Sequence, residues 1–304
     1  MSAQTSTDKR VQFDFEAIFS NGGGIQGQGF RLDIEGTDIG DAELAAYIVQ
    51  DLRLLMVAEV RILNKHIITE RHKRSAANTQ PGASLQRFLD LSHTIEDGMI
   101  TYKGLPAPLI CDHLSREQSR AIYAEGTEFA IGKIEMVSNT GTYLDSPYHR
   151  YADGKDLSQL DLESLAEMEG VVVRLTGMSG RAISQNAFAA LDVRGKAVLV
   201  HTGWDAHWRT DQYFENHPFL TKDAALWLHD QGARLVGIDS LNIDDTTDGH
   251  RPVHTALLGA GIPIVEHLRG LEQLPTTGFR FSAVPVKVKG MGTFPVRAYA
   301  TLPA

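Results

Sequence analysis

The sequence predicts a mixed α/β domain preceded by a small α+β appendage, and three observations carry that expectation. Gly170-Val-Val-Val-Arg-Leu175, Lys196-Ala-Val-Leu-Val200 and Arg234-Leu-Val-Gly-Ile238 are short, β-branched and bounded by glycine or polar residues, as strands buried on both faces are. Helical spacing alternates with them, over Asp161 to Met168 and Thr221 to Gln231. Upstream, a strand, strand, helix, strand pattern ends at Ala76-Ala-Asn-Thr-Gln-Pro-Gly-Ala83, which has the composition of a linker. The boundaries are therefore residues 1–83 for the appendage with its linker and 84–304 for the main domain.

Within the appendage, Val11 to Phe19 alternates apolar and polar residues and reads as a strand. Ser20-Asn-Gly-Gly-Gly24 turns it, and Phe30 to Ile34 is a second short strand. The glycine-rich turn precedes a strand instead of opening a helix, so it is no dinucleotide fingerprint. From Asp41, read as an N-cap, Leu44, Ile48, Leu52, Leu55 and Met56 recur at helical spacing. Val60 to Leu63 and Ile67-Ile68 suggest a further strand pair, and the basic run Arg71 to Arg74 reads as a solvated end. So small a sheet needs a cover, either the main domain or another subunit. In the main domain, Phe129 to Val137 has the pattern of a strand with one buried face, Thr221 is the N-cap of its helix, and Arg280 to Val288 and Val296 to Thr301 close the chain as strands.

Bulk properties narrow the function. A chain of 304 residues, 42% of them hydrophobic, is long enough to bury a large core. Its formal charge of −9 disfavours nucleic acid and anionic membranes as partners. The opening ten residues contain no apolar targeting segment, and no apolar run approaches the roughly 18 residues of a membrane helix. The single cysteine, Cys111, excludes an intramolecular disulfide and reads as a buried or half-buried small hydrophobe; a cytoplasmic protein is expected.

The stretch Ser138-Asn-Thr-Gly-Thr-Tyr-Leu-Asp-Ser-Pro-Tyr-His149 concentrates polar, turn-forming and proton-transferring residues behind an apolar run. An ordinary surface turn has much the same composition. As a site, it would place Asn139, Tyr143, Asp145 and His149 on irregular chain, where side chains converge on a ligand. This stretch resembles the signature His-x-Gly-Thr-His-x-Asp-x-Pro-x-His of the cyclase family that includes bacterial kynurenine formamidases and isatin hydrolases. Gly141, Thr142, Asp145, Pro147 and His149 match it, while Asn139 and Tyr143 stand where the family has two histidines. The segment from Pro252 to Leu268 resembles the family's second ligand segment, with His254 and Glu266 at the ligand positions. Shorter agreements at Asp90 to Ile95, Val200 to Trp204, Gly237 to Ser240, Ala283 to Lys287 and Pro295 to Ala298 extend the resemblance in order to residue 304.

The resemblance implies a swivelling β/β/α fold, a divalent metal and hydrolysis of a small amide, imide or lactone in the manner of an arylformamidase. Asp145, His254 and Glu266 are then the surviving ligands, and three with an open position for water suffice for a catalytic ion. An asparagine carbonyl and a neutral phenol are poorer ligands than imidazole, so a retained ion is held more weakly, or is manganese or magnesium instead of zinc. The other reading drops the metal and makes Asn139 and Tyr143 hydrogen-bond donors to an oxyanion. His149 matches the family's catalytic histidine, and imidazole changes charge near neutrality. His93, Trp204 and His207 are candidates for the pocket wall, and Asp239 is a candidate brace for a ligand histidine. A metal-independent lyase or isomerase using Tyr143 as acid, and a non-catalytic binding or assembly member, remain the alternatives. A homodimer or homotetramer is the expected state, with a small molecule as substrate.

Overall fold

The computed structural model describes residues 8–20, 22–34, 36–52, 54, 57–70 and 86–303, in two compact units, Met1–Ala83 and Ser84–Ala304. The first contains β1 (Asp8–Phe19), β2 (Gly24–Asp33), α1 (Asp41–Asp51) and β3 (Val57–Glu70). The strands form an antiparallel sheet in the order β2-β1-β3. Alternation along β1 sends Val11, Phe13, Phe15 and Ala17 to one face, where Leu44 and Ile48 of α1 bury with them. The apolar stripe of the helix is thus covered within its own unit.

Two expectations for this unit are corrected. Val60 to Leu63 and Ile67-Ile68 belong to one strand, because the break between them is a bulge: Asn64 takes a left-handed φ of 51° and donates to Asp14 Oδ2 at 2.7 Å. Gly40, not Asp41, is the N-cap of α1, and Asp41 lies in its first turn. Leu55, Met56, the basic run and the linker lie outside the described residues.

The second unit contains β4 (Arg87–Asp90), β5 (Leu109–Leu114), α2 (Arg116–Ser119), β6 (Ile131–Glu135), β7 (Tyr143–Asp145), β8 (Met168–Arg174), β9 (Ala182–Ile183), β10 (Ala197–His201) and β11 (Phe219–Leu220). It continues with α3 (Lys222–Asp230), β12 (Leu235–Ile238), α4 (Pro252–Gly259), β13 (Ile264–Glu266), β14 (Phe279–Ser282), β15 (Thr293–Pro295) and β16 (Tyr299–Leu302). Nine strands form one sheet in the order β15-β7-β13-β12-β10-β8-β14-β16-β4. Its centre, β13-β12-β10-β8, is parallel and its flanks are antiparallel. Both faces of the centre are buried: Val172 and Leu199 enter one core, while Val171, Val173, Val198 and Val200 meet α3 and α4 in the other. The three β-branched runs of the sequence are β8, β10 and β12.

Residue periodicity failed where tertiary position decides. Phe129 to Val137 yields β6, which among the described residues pairs only with β5, in a two-stranded ribbon, and is exposed along its length. Cys111, in β5, is exposed with it. Asp161 to Met168 is a short 3-10 turn, Leu162–Ser164, and Met168 already opens β8; Glu167, at φ 51°, ends any helix there. Thr221 occupies the N-cap of α3, but its hydroxyl donates to the Ile183 carbonyl at 3.1 Å instead of capping. The two closing strands are shorter than expected, and Val296 falls between β15 and β16.

Candidate active site

Tyr143, Asp145 and Glu266 come together through strand register. β7 and β13 are antiparallel neighbours with Tyr143 opposite Glu266 and Asp145 opposite Ile264. Directly opposed residues share a face, as do residues two apart, so all three polar side chains emerge on one side. Leu144 and Val265, between them, point into the core on the other. The motif is therefore strand at its centre, where irregular chain was expected. A 3-10 turn, Pro147–His149, follows β7 and carries His149.

His254 is the third residue of α4, and Asp244 fixes it. The Asp244 carboxylate accepts from Val253 N at 2.7 Å, His254 N at 3.0 Å and the His254 Nδ1–H at 2.6 Å. One buried carboxylate thus caps the helix and sets the imidazole, so that Nε2 looks into the site, 3.6 Å from Asp145 Oδ2 and 3.7 Å from Glu266 Oε1. Burial opposes charge on His254, but Asp145, Asp244 and Glu266 outweigh it and raise its pKa to about 10. Burial raises the Glu266 carboxyl to about 7 against the pull of His254. Glu266 is fully hydrogen-bonded: Oε1 accepts from Ile243 N at 2.7 Å, and Oε2 accepts from the Tyr143 hydroxyl at 2.6 Å and Asn242 Nδ2 at 3.2 Å. Burial, then Glu266 and Asp145, pushes the Tyr143 phenol well above its ordinary range.

Thr293, on β15, links the other two groups. Its hydroxyl donates to Asp145 Oδ1 and lies 2.8 Å from His149 Nδ1. With its proton on Asp145, the Thr293 oxygen accepts the Nδ1 proton of His149, which leaves the His149 lone pair on Nε2. Asp145 Oδ2 is buried and has no hydrogen-bond partner among the described residues. Asp145, His149 and His254 each offer a ligand atom within 4.8 Å of one another. An orphaned carboxylate oxygen beside two imidazoles fits a divalent cation.

These groups open onto a cleft of about 300 Å³ whose wall includes Tyr102, Asn139, Arg150, Asn242 and Arg251. A larger groove of about 700 Å³ has no such cluster, and its Lys155 and Asp161 pair with each other at 2.7 Å. Of the sequence candidates, Asn139, Tyr143, His149, His254 and Glu266 line the cleft, and Asp145 lies beneath it. His93 instead stacks on Trp208, Trp204 donates to the Tyr213 carbonyl, and His207 packs edge-on against Trp204. Asp239 does not brace a histidine: it accepts from Thr202 N and hydroxyl and from Gly203 N, while Asp244 has the bracing role. Asp244, Thr293 and Asn242 escaped the sequence reading. Asp244 left a faint signal, an aspartate ten residues ahead of a ligand-type histidine.

Comparison with known proteins identifies the family. The family model described as "Putative cyclase" matches residues 89–245, just over half of the chain. Kynurenine formamidase of Geobacillus thermodenitrificans is 30% identical over 213 residues, 69% of this chain and 95% of that protein. The Bacillus cereus enzyme of the same name is 26% identical over 214 residues, with 69% and 95% covered. A solved structure titled "Potential Metal-Dependent Hydrolase With Cyclase Activity" is 28% identical with a TM-score of 0.57, covering 72% of this chain and 99% of its own. An isatin hydrolase bound to thioisatinate shares the fold at a TM-score of 0.63 and 21% identity, with 77% and 100% covered. The protein is a hydrolase with a mixed-sheet fold and a polar cleft over its β7-β13 strand pair. The chain belongs to the cyclase family. Among the described residues, no helix is long and apolar enough to cross a membrane.

Proposed function

We propose that the protein hydrolyses the carbonyl bond of a small amide, imide or lactone, in the manner of an arylformamidase. His149 acts as proton carrier, and Asp145, His254 and Glu266 surround a divalent ion. The observation that carries this reading is Asp145 Oδ2, buried and without a hydrogen bond among the described residues, facing His254 Nε2 at 3.6 Å with His149 beside it. An ion held there supplies Lewis-acid polarisation of the carbonyl and an acidified water. A donor set of one imidazole and two carboxylates suits manganese or zinc, the imidazole disfavouring magnesium.

The side chains then have distinct tasks. His149, its Nδ1–H given to Thr293, keeps Nε2 free to take a proton from water and return it to the leaving nitrogen or oxygen. Asn139, in the cleft wall, offers an amide N–H to the developing oxyanion. Tyr143 orients Glu266 by donating to it, and that donation directs its proton away from a substrate, which weighs against the metal-free lyase in which Tyr143 is the acid. Leu109, Phe129, Ile131 and Ile134 are exposed on or beside the β5-β6 ribbon, which supports self-association as a homodimer or homotetramer.

Elemental analysis of the purified protein, combined with turnover of N-formylaniline, tests the reading. The expected result is bound zinc or manganese, with hydrolysis lost on chelation and restored by the ion. Full activity in metal-free protein overturns the metal assignment. Metal-loaded protein that turns over no amide, imide or lactone overturns the hydrolytic one.

A further inference from the structure

Two arginines line the same cleft as His149 and Glu266, and the reaction as described uses neither. Among the described residues no carboxylate lies within ion-pair distance of Arg150 or Arg251. Arg150 Nε reaches the Thr255 hydroxyl at 3.4 Å, and its guanidinium lies over the Tyr151 ring. Arg251 Nη1 donates to Asn242 Oδ1 at 3.4 Å and to the Asp245 carbonyl at 3.3 Å. Neutral acceptors of this kind fix a guanidinium without neutralising it.

Arg251 also holds an unfavourable backbone conformation. Its φ of 48° is left-handed, a region that long side chains avoid, and Pro252 follows it directly as the first residue of α4. Residues kept in such conformations by their surroundings concentrate at ligand sites. Asn242 ties this arginine to the reactive centre: its Oδ1 accepts from Arg251 while its Nδ2 donates to Glu266 Oε2 at 3.2 Å. A cationic group therefore stands one side chain away from an otherwise carboxylate-lined floor, in a chain with nine excess negative charges.

We propose that Arg251, assisted by Arg150, forms a substrate-anion subsite: it binds the carboxylate of a small acidic amide, imide or lactone and so holds the reactive carbonyl over His149 and Asp145. The inference rests on the hydrolase reading above and deepens it by naming the substrate class. A guanidinium receives a carboxylate through two parallel N–H···O bonds, which fixes orientation as well as affinity. A cleft of about 300 Å³ suits a single-ring acid.

Two measurements on the full-length, metal-loaded protein test it. In the first, calorimetry reads benzoate binding to the wild type, Arg251→Gln and Arg251→Lys, with thermal melts as the control for folding. Benzoate is expected to bind about 10- to 100-fold more weakly to Arg251→Gln, the loss for one charge-assisted pair, and Arg251→Lys should recover part of it. In the second, kcat/KM is compared for N-formylaniline and its ortho-carboxylate, N-formylanthranilate. The wild type should prefer the acid, and Arg251→Gln should reduce that preference by a similar factor, chiefly through KM; Arg150→Gln should reduce it less. Benzoate binding that is undetectable, or indifferent to Arg251→Gln, overturns the subsite. If benzoate binding depends on Arg251 but neither formamide is hydrolysed, the subsite stands and the hydrolytic reading falls.

Discussion

Replacing Asp244 by alanine tests the architecture that aims His254. The carboxylate is fully buried and accepts three hydrogen bonds, two from the first turn of α4 and one from the imidazole. Losing the helix cap costs about 1 kcal/mol. Losing the charge-assisted bond to Nδ1–H costs about 1.5–3 kcal/mol more. The metal-free variant should therefore be about 2.5–4 kcal/mol less stable in urea unfolding. Freed from Asp244, the imidazole is no longer held with Nε2 toward Asp145, so affinity for zinc or manganese should fall about 10- to 100-fold, as for other residues that orient a metal-bound histidine. Competition with a chromogenic chelator reads that affinity at a temperature where the variant remains folded. Asp244→Asn, which keeps the shape and one acceptor oxygen, should lie between the two. A folded Asp244→Ala protein that binds the ion as tightly as wild type would refute the bracing role.

Three further outcomes are expected. His149→Ala should lower kcat by about 10²–10⁴-fold with an unchanged melting temperature, because it removes a half-exposed proton carrier and no core packing; near-normal turnover would exclude His149 as the base. Restoring both family histidines, Asn139→His with Tyr143→His, should tighten ion binding by calorimetry, since imidazoles replace an amide and a neutral phenol; unchanged affinity would mean that neither side chain reaches the ion. In chelator, stability should fall as pH rises above about 7, where His93, His201, His217 and His267, all depressed by burial, are already neutral in both states and no longer offset the trend. The folded-state pKa of Glu266 is raised from 4.5 to about 7 and that of His254 from 6.5 to about 10, so the folded protein binds these protons more tightly than the unfolded chain. Their contribution is complete below the unfolded values and is lost through about pH 4.5–7 for Glu266 and about pH 6.5–10 for His254. Added ion should flatten the upper part of the profile, and a melting temperature independent of pH from about 7 to 10 in chelator would contradict the raised His254 value.

What the sequence determined by itself was of two kinds. Buried strands announce themselves because both faces of β8, β10 and β12 must be apolar, so Val171 to Val173, Val198 to Val200 and Leu235 to Ile238 stand out whatever their neighbours are. The motif residues stood out through the resemblance to the cyclase family's two segments, in which Asp145 and His149, four apart, and His254 and Glu266, twelve apart, fall in order at the family's positions. Tertiary structure decided what each residue does. Only the β7-β13 register puts Tyr143 against Glu266, because the two are 123 residues apart and local periodicity carries no information about pairing. Only the turn from Asp244 into α4 reveals that Asp244, and not Asp239, sets His254; both are buried aspartates in the segment between β12 and α4, and the difference lies in which backbone amides face them. The exposed ribbon of β5 and β6 shows the same limit from the other side: Ile131 and Ile134 have the residue types of a core strand, and the chain pairs them where, among the described residues of their own unit, no second layer covers them.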